Sequence, residues 1–192
     1  MEMNNGIPAF YASTNAEWRN WLAENGSSEK AICLILYHKK SKTPCIDYKE
    51  SIEQALCFGW IDSKANKRDE ESSYLQFTPR KAKSNWSKVN RERVERMLEQ
   101  GLMMPAGQAM IDLAKANGSW EGLADAQNAI IPWDLQKLFD KNTEAFENFQ
   151  KFSPSSKRMI LEWIAKAKKE ETREKRVVQT VELAAKNVKA NH

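Results

Sequence analysis

Apolar residues recur along this chain in two rhythms, and the change between them falls near Pro79. Before it, apolar positions come in short runs and alternations. Residues 31–37 are continuously apolar, with β-branched Ile32 and Ile35, between Gly26-Ser27-Ser28 and the polar Lys39-Lys40-Ser41. That predicts a buried strand covered on both faces. Residues 61–67 and 73–78 read as two more strands around the polar turn Asp69–Ser72, with Leu75 and Phe77 on one face. Two helices interleave with them. Thr14 and Glu17 have capping-box spacing and predict a helix over 15–24, with Phe10, Trp18, Trp21 and Leu22 as its apolar side. Asp47 and Glu50 repeat the signal for a helix that runs to Phe58 and stops at Gly59.

After Pro79 the apolar period lengthens to that of a helix. Ser84 or Ser87 starts a helix ending at Gln100, with Val94, Met97 and Leu98 as its stripe. Pro105 opens the next, closed by Gly118. Further helices are predicted from Pro132, over 143–152, from Ser153-Pro154 with Met159, Ile160, Trp163, Ile164 and Ala167 inward, and over 171–186. The pattern predicts an α+β protein with a small antiparallel or mixed sheet. An α+β half occupies 1–82, with its strand at 31–37 and its hairpin at 61–78, and a helical half occupies 83–192. No Gly, Ser or Pro linker separates the halves, which predicts one packed body.

Composition narrows the class. Hydrophobic residues at 41% and charged residues at 29% are those of a globular protein, and no apolar run approaches the ~20 residues of a membrane span. Met1–Phe10 has no basic residue ahead of a long apolar stretch, and Cys33, Cys45 and Cys57 are an odd number. Both point to a cytoplasmic chain with reduced thiols. His38 and His192 are the only histidines, and no Cys-x-x-Cys, His-Glu-x-x-His, P-loop, Gly-x-Gly-x-x-Gly or Gly-x-Ser-x-Gly pattern occurs. No metal or cofactor is therefore expected, and no catalytic residue can be named. The net charge of +4 is uneven: from Arg80 to Arg96, seven Lys or Arg stand against Glu92 and Glu95. Such a segment favours an anionic partner or forms a solvated, ion-paired helix face.

The densest candidate chemistry lies between residues 55 and 90. Gly59 lets the chain leave its helix with positive φ. Trp60 and Asp62, two apart on a strand, share one side. Arg80 and Lys81 follow Pro79, and Ser84, Trp86 and Asn90 surround the start of the next helix. An arginine fork, an aromatic plate and a helix N-terminus suit a carboxylate, a phosphate or a peptide terminus. The same residues have a structural use. Asp62 can be the buried partner of Arg80, and Trp60 and Trp86 can plug a junction between the halves. Placed on either side of the hairpin, the two tryptophans are expected to lie near each other.

These blocks, Ala55–Lys64, Tyr74–Lys81 and Ser84–Asn90, resemble the YdeI/OmpD-associated (bacteriocin-protection) family. So do Gly101–Gly107, Ala114-Lys115 with Gly118 and Trp120, Ala167–Arg173, and the N-terminal Phe10, Trp18, Trp21-Leu22 and Tyr37 with Lys39-Lys40. The similarity runs from about residue 8 to 185. It implies a part in protection against bacteriocins or cationic antimicrobial peptides and an association with an outer-membrane porin, and it supplies no catalytic residues. The resulting expectation is a non-enzymatic binding protein for a small anion or a peptide. The alternatives are nucleic-acid binding through segment 80–96, with Lys83, Lys88, Arg91 and Arg93 on the backbone and Trp86 stacking on a base, or an enzyme of unrecognised type. The pattern sets no oligomeric state.

Overall fold

The computed structural model describes residues 2–191; Met1 and His192, the second histidine, lie outside them. The elements are β1 (Met3–Asn4), β2 (Ile7–Tyr11), α1 (Asn15–Asn25), β3 (Ile32–Tyr37), α2 (Tyr48–Cys57), β4 (Trp60–Lys67), β5 (Ser72–Pro79), α3 (Lys88–Glu99), α4 (Pro105–Ala116), α5 (Ala124–Gln127), α6 (Trp133–Phe139), α7 (Thr143–Lys151), α8 (Pro154–Ala165) and α9 (Glu170–Ala185). The fold is α+β, with a mixed five-stranded sheet in the N-terminal half and helices after it. Two compact units are present. The first holds the residues up to Ser84 together with Val89–Asn117, and the second holds Asn85–Lys88 and the residues from Gly118 onward. Helices α3 and α4 thus group with the sheet and not with the helices that follow.

In the first unit the strand order is β1-β2-β3-β5-β4. β2 and β3 run parallel, joined through α1, while β5 is antiparallel to both β3 and β4. The register places Leu34 opposite Phe10 and Leu75, and Phe77 opposite Ile32 and Asp62. Residues two apart on a strand share a face, so Trp60 joins this set. α1 covers that face: Trp18 lies 5.2 Å from Phe77 and 6.3 Å from Phe10 by ring centroids, and its indole N–H donates to Ser51 O of α2 at 3.0 Å. Each fully buried Trp, Leu or Phe here contributes roughly 1.5–3 kcal/mol. On the opposite face Cys33 and Ile35 are also buried. Arg68 grips the Glu2 carboxylate through Nε at 2.7 Å and Nη2 at 3.0 Å, and the Tyr74 hydroxyl donates to the same carboxylate.

Several elements follow their sequence signals closely. The Glu17 amide donates to Thr14 Oγ1 at 3.3 Å, although the Glu17 carboxylate reaches back to the Ser13 amide at 2.7 Å. Asp47 Oδ1 accepts from the Lys49 amide at 2.7 Å and starts α2. Gly59 ends that segment with φ +76°. β1 and β2 were not anticipated. Phe10, read as part of a helix's apolar side, sits in β2 and still meets Trp18 and Trp21. α2 and α4 touch where a Cβ on Gly107 would fall 2.2 Å from Cys57 O, a contact only glycine permits. β4 is an edge strand with a register shift between Asp62 and Ala65.

The second unit is helical. Phe139 and Phe149 meet at 5.0 Å, and around them Leu135, Ile160, Ile164, Val181 and Ala184 are buried. Asn142 Oδ1 accepts from the Ala145 amide at 3.0 Å to cap α7, and Ser153 Oγ accepts from the Ser156 amide at 3.2 Å to cap α8. No helix among the described residues is long and apolar enough to cross a membrane.

Candidate functional site

The turn at Gly59 and the end of β5 bring charge to the base of the hairpin. The Arg80 amide donates to Gly59 O at 2.8 Å, so Arg80 is fixed beside the start of β4. Its side chain is withdrawn from water, leaving the residue 7% exposed. Burial lowers the guanidinium pKa to about 10, and the Asp62 carboxylate acts in the opposite sense. Asp62 is half-buried on the same sheet face as Trp60. Tyr48, the first residue of α2, interacts with the same carboxylate. Burial pushes the Tyr48 phenol up, as does the negative charge of Asp62, while Arg93 pulls it down. Arg93 Nη1 in turn donates to Asn90 Oδ1 at 2.8 Å. Asp62, Arg80 and Asn90 are therefore gathered into one polar cluster in the first unit, with Tyr48 and Arg93 added.

Tyr48 also lines a cavity of about 510 Å³ in this unit. Its floor is Leu36, Ala65 and Leu75, one residue from each of three adjacent strands. Ile46 and Tyr48 wall one side, and His38, Lys39, Ser41, Thr43 and Ser73 supply a polar rim. The loop over it, residues 38–47, is fastened along its length. His38 N donates to Glu71 O at 2.8 Å, His38 Nε2 lies 3.0 Å from Ser73 Oγ, and Ser41 Oγ donates to Glu71 Oε2 at 3.3 Å. The Tyr11 hydroxyl donates to Pro44 O, the Tyr37 amide donates to Cys45 Sγ at 3.3 Å, and Ile46 N donates to Ala12 O at 3.3 Å. The loop thus holds an open cavity in place. The Cys45 thiol, half-buried at its wall, is pushed up by burial and so is held in the thiol form.

The other sequence-nominated residues are placed differently. Trp60 is 1% exposed, with its indole N–H donating to Gly26 O at 3.0 Å and its ring edge-on to Trp21 at 5.9 Å. It is a core residue with a satisfied polar tip and presents no open aromatic plate. Lys81 is exposed, and its carbonyl accepts from the Ser84 amide and hydroxyl, each at 2.9 Å. Ser84 and Trp86 precede α3, which begins at Lys88. Trp86 belongs to the second unit, where its ring meets Trp120 at 5.0 Å and its amide donates to Ser119 O at 3.2 Å. The basic run 80–96 does not form one free stripe. Arg80 is buried, Arg93 is bonded to Asn90, and Arg96 pairs with Glu53 at 2.6 Å.

Sequence reading passed over Tyr48 and loop 38–47 as a site, and named Lys39 only as a strand flank and a part of the family pattern. Tyr48 carried a usable signal: as the first residue after the Asp47 cap it had to sit at the helix mouth, beside whatever the sheet presents. The loop has no periodicity from which a cavity could have been read.

Residues 10–110, just over half of the chain, match the family model described as Domain of unknown function (DUF8412). They span β2 to α4, so the hairpin and the cavity both fall within this match. Residues 128–187 match the model described as Bacteriocin-protection, YdeI or OmpD-Associated, a shorter stretch than the similarity read from the sequence. No curated protein and no solved structure matches the chain. The chain thus belongs to the DUF8412 family and carries, across α6–α9, the bacteriocin-protection, YdeI or OmpD-associated domain that its sequence resembles.

Proposed function

We propose that this is a non-catalytic binding protein of the cytoplasm whose first unit holds a small anion with an apolar body, such as a carboxylate or the C-terminal end of a peptide. The observation that carries the reading is the cavity under loop 38–47. Its volume is that of a small-molecule site, its floor is aliphatic, and its rim is polar, with the Lys39 cation beside Ser41, Thr43, Ser73 and Tyr48. The one carboxylate on that lining, Asp47, is already engaged by the Lys49 amide at the start of α2. At Tyr48 the positive charge of Arg93 works against the larger negative one of Asp62, so the anion would be held at the Lys39 side of the rim. Three free cysteines, two of them buried, support a reducing compartment. The match at residues 128–187 supports tolerance of bacteriocins or antimicrobial peptides as the cellular role.

The test is titration of octanoate into the 15N-labelled protein, with Ala65→Trp as the variant that fills the cavity from its floor. Amide shifts should move at 36–48 and 73–75 below about 10 mM ligand, the weak end of specific binding. They should be lost in Ala65→Trp at unchanged melting temperature. Shifts that persist in a folded Ala65→Trp protein, or none in the wild type, would sink the proposal. For the cellular role, cells lacking the protein should become more sensitive to a bacteriocin and be restored by the wild-type chain, but not by Ala65→Trp. Equal restoration by both would separate tolerance from the cavity.

A further inference from the structure

The second unit has a cavity of its own, about 430 Å³, with the opposite chemistry. Its floor is Leu161 and Ile164 of α8, 2% and 0% exposed, and Ile130 forms a wall that is itself 52% exposed. Glu121 and Asp125 stand at its rim, both exposed, and neither carboxylate is engaged in a hydrogen bond or ion pair among the described residues. The one cation on the lining, Arg173, is already committed. Its Nε donates to Asp134 Oδ2 at 2.7 Å and its Nη2 to Asp134 Oδ1 at 3.0 Å. The lining charge is therefore negative once that pair is counted as neutral. Ile164 and Ala165 are the last residues of α8, so the negative end of a twelve-residue helix also lies at the wall.

We propose that this cavity binds an organic cation, an ammonium or guanidinium group carried on a small apolar body. The apolar part lies against Leu161, Ile164 and Ile130, and the cation meets Glu121 and Asp125 at the rim. The chemistry is common to a free amine and to the side chain of a basic residue in a polypeptide. Two probes separate them, benzylammonium and N-acetyl-lysine methylamide.

Both are titrated into the 15N-labelled full chain, with benzyl alcohol as the uncharged match for benzylammonium. Amide shifts are expected to cluster at 121–132 and 161–165. Affinity should be about fivefold higher for benzylammonium than for the alcohol, the size of an exposed ion pair. The preference should vanish in the Glu121→Gln/Asp125→Asn double variant, whose surface changes leave the remaining spectrum in place, and shrink as salt is raised. Tighter binding of the lysine derivative assigns the site to a polypeptide side chain, and tighter binding of benzylammonium assigns it to a free amine. Equal affinity for cation and alcohol, an unaltered preference in the double variant, or shifts confined to other segments would each overturn the proposal.

Discussion

Arg80 offers the sharpest test of how the hairpin base is built. Replacing it with methionine keeps an unbranched apolar stem in the buried position and removes the charge. What remains is the Asp62 carboxylate without the cation that acts on it. Breaking a fully buried pair costs about 3–5 kcal/mol. Asp62 is only half-buried and recovers some hydration, so Arg80→Met should cost about 2 kcal/mol. That corresponds to roughly 4–8 °C in melting temperature for a chain of this size. The assay is urea unfolding followed by tryptophan fluorescence, since Trp60 lies one residue beyond Gly59, whose carbonyl receives the Arg80 amide. In Arg80→Met/Asp62→Leu the loss should be smaller than the sum of the two single losses by at least about 1 kcal/mol. The pH dependence has a definite sign. A folded-state pKa lowered to about 10 means the folded protein releases this proton before the unfolded chain does, so the penalty for burying the charge is relieved only as pH rises above about 10. Between pH 6 and 9 Arg80 stays charged in both states, and the difference between wild type and Arg80→Met should be flat. A single variant within about 0.5 kcal/mol of wild type, or losses that simply add, would refute the pairing.

Three further outcomes are expected. Gly107→Ala places a Cβ 2.2 Å from Cys57 O, a backbone atom that cannot swing aside, and should destabilise the first unit by about 1–3 kcal/mol in the same denaturation assay. In Asp134, burial pushes the carboxyl up but is outweighed by the Arg173 hydrogen bonds, so its pKa is lowered on balance; its stabilisation is complete above the ordinary value of about 3.9 and is lost as pH falls through the lowered one. Asp134→Asn should therefore cost about 1 kcal/mol at pH 7, and its unfolding curve should converge on that of the wild type below about pH 4. Asn142→Ala should cost about 1 kcal/mol by removing the cap on α7, read as a lower urea midpoint at unchanged slope.

Legibility in the sequence followed the range of the forces involved. α1, α2, α4 and α6–α8 were readable because their starts are marked by local caps or prolines, as Thr14, Asp47 and Ser153 show in the hydrogen bonds they make, and α9 through its apolar period alone. β3 and β5 were readable because burial leaves continuous or alternating apolar residues. β2 was not. Its five residues include Pro8, and it owes its strand state to parallel pairing with β3, a partner more than twenty residues away. The polar cluster was half visible. Asp62 and Arg80 could be paired from their places at the two ends of the hairpin, whereas Tyr48 joins them through the packing of α2 against β4 and Arg93 through its charge on α3, neither of which a local pattern announces. Trp60 and Trp86 looked alike in sequence, yet one caps its indole on Gly26 and the other lies against Trp120 in a different unit.

The interleaving of the two units along the chain has a consequence for synthesis. The peptide passes from one unit to the other after Ser84, after Lys88 and after Asn117. A ribosome adding about 5–20 residues per second makes Trp86 roughly 2–7 s before its ring partner Trp120. During that interval Trp86 has no ring partner, while α3 and α4, made in the same interval, still have to join the sheet. Neither unit can be completed first without the other having been started. Fragments cut at residue 84 or begun at 118 each lack part of their own core. Slowing the ribosome after residue 120 by synonymous codons should accordingly prolong the time for which the second unit stands begun and incomplete, and should lower the yield of folded protein.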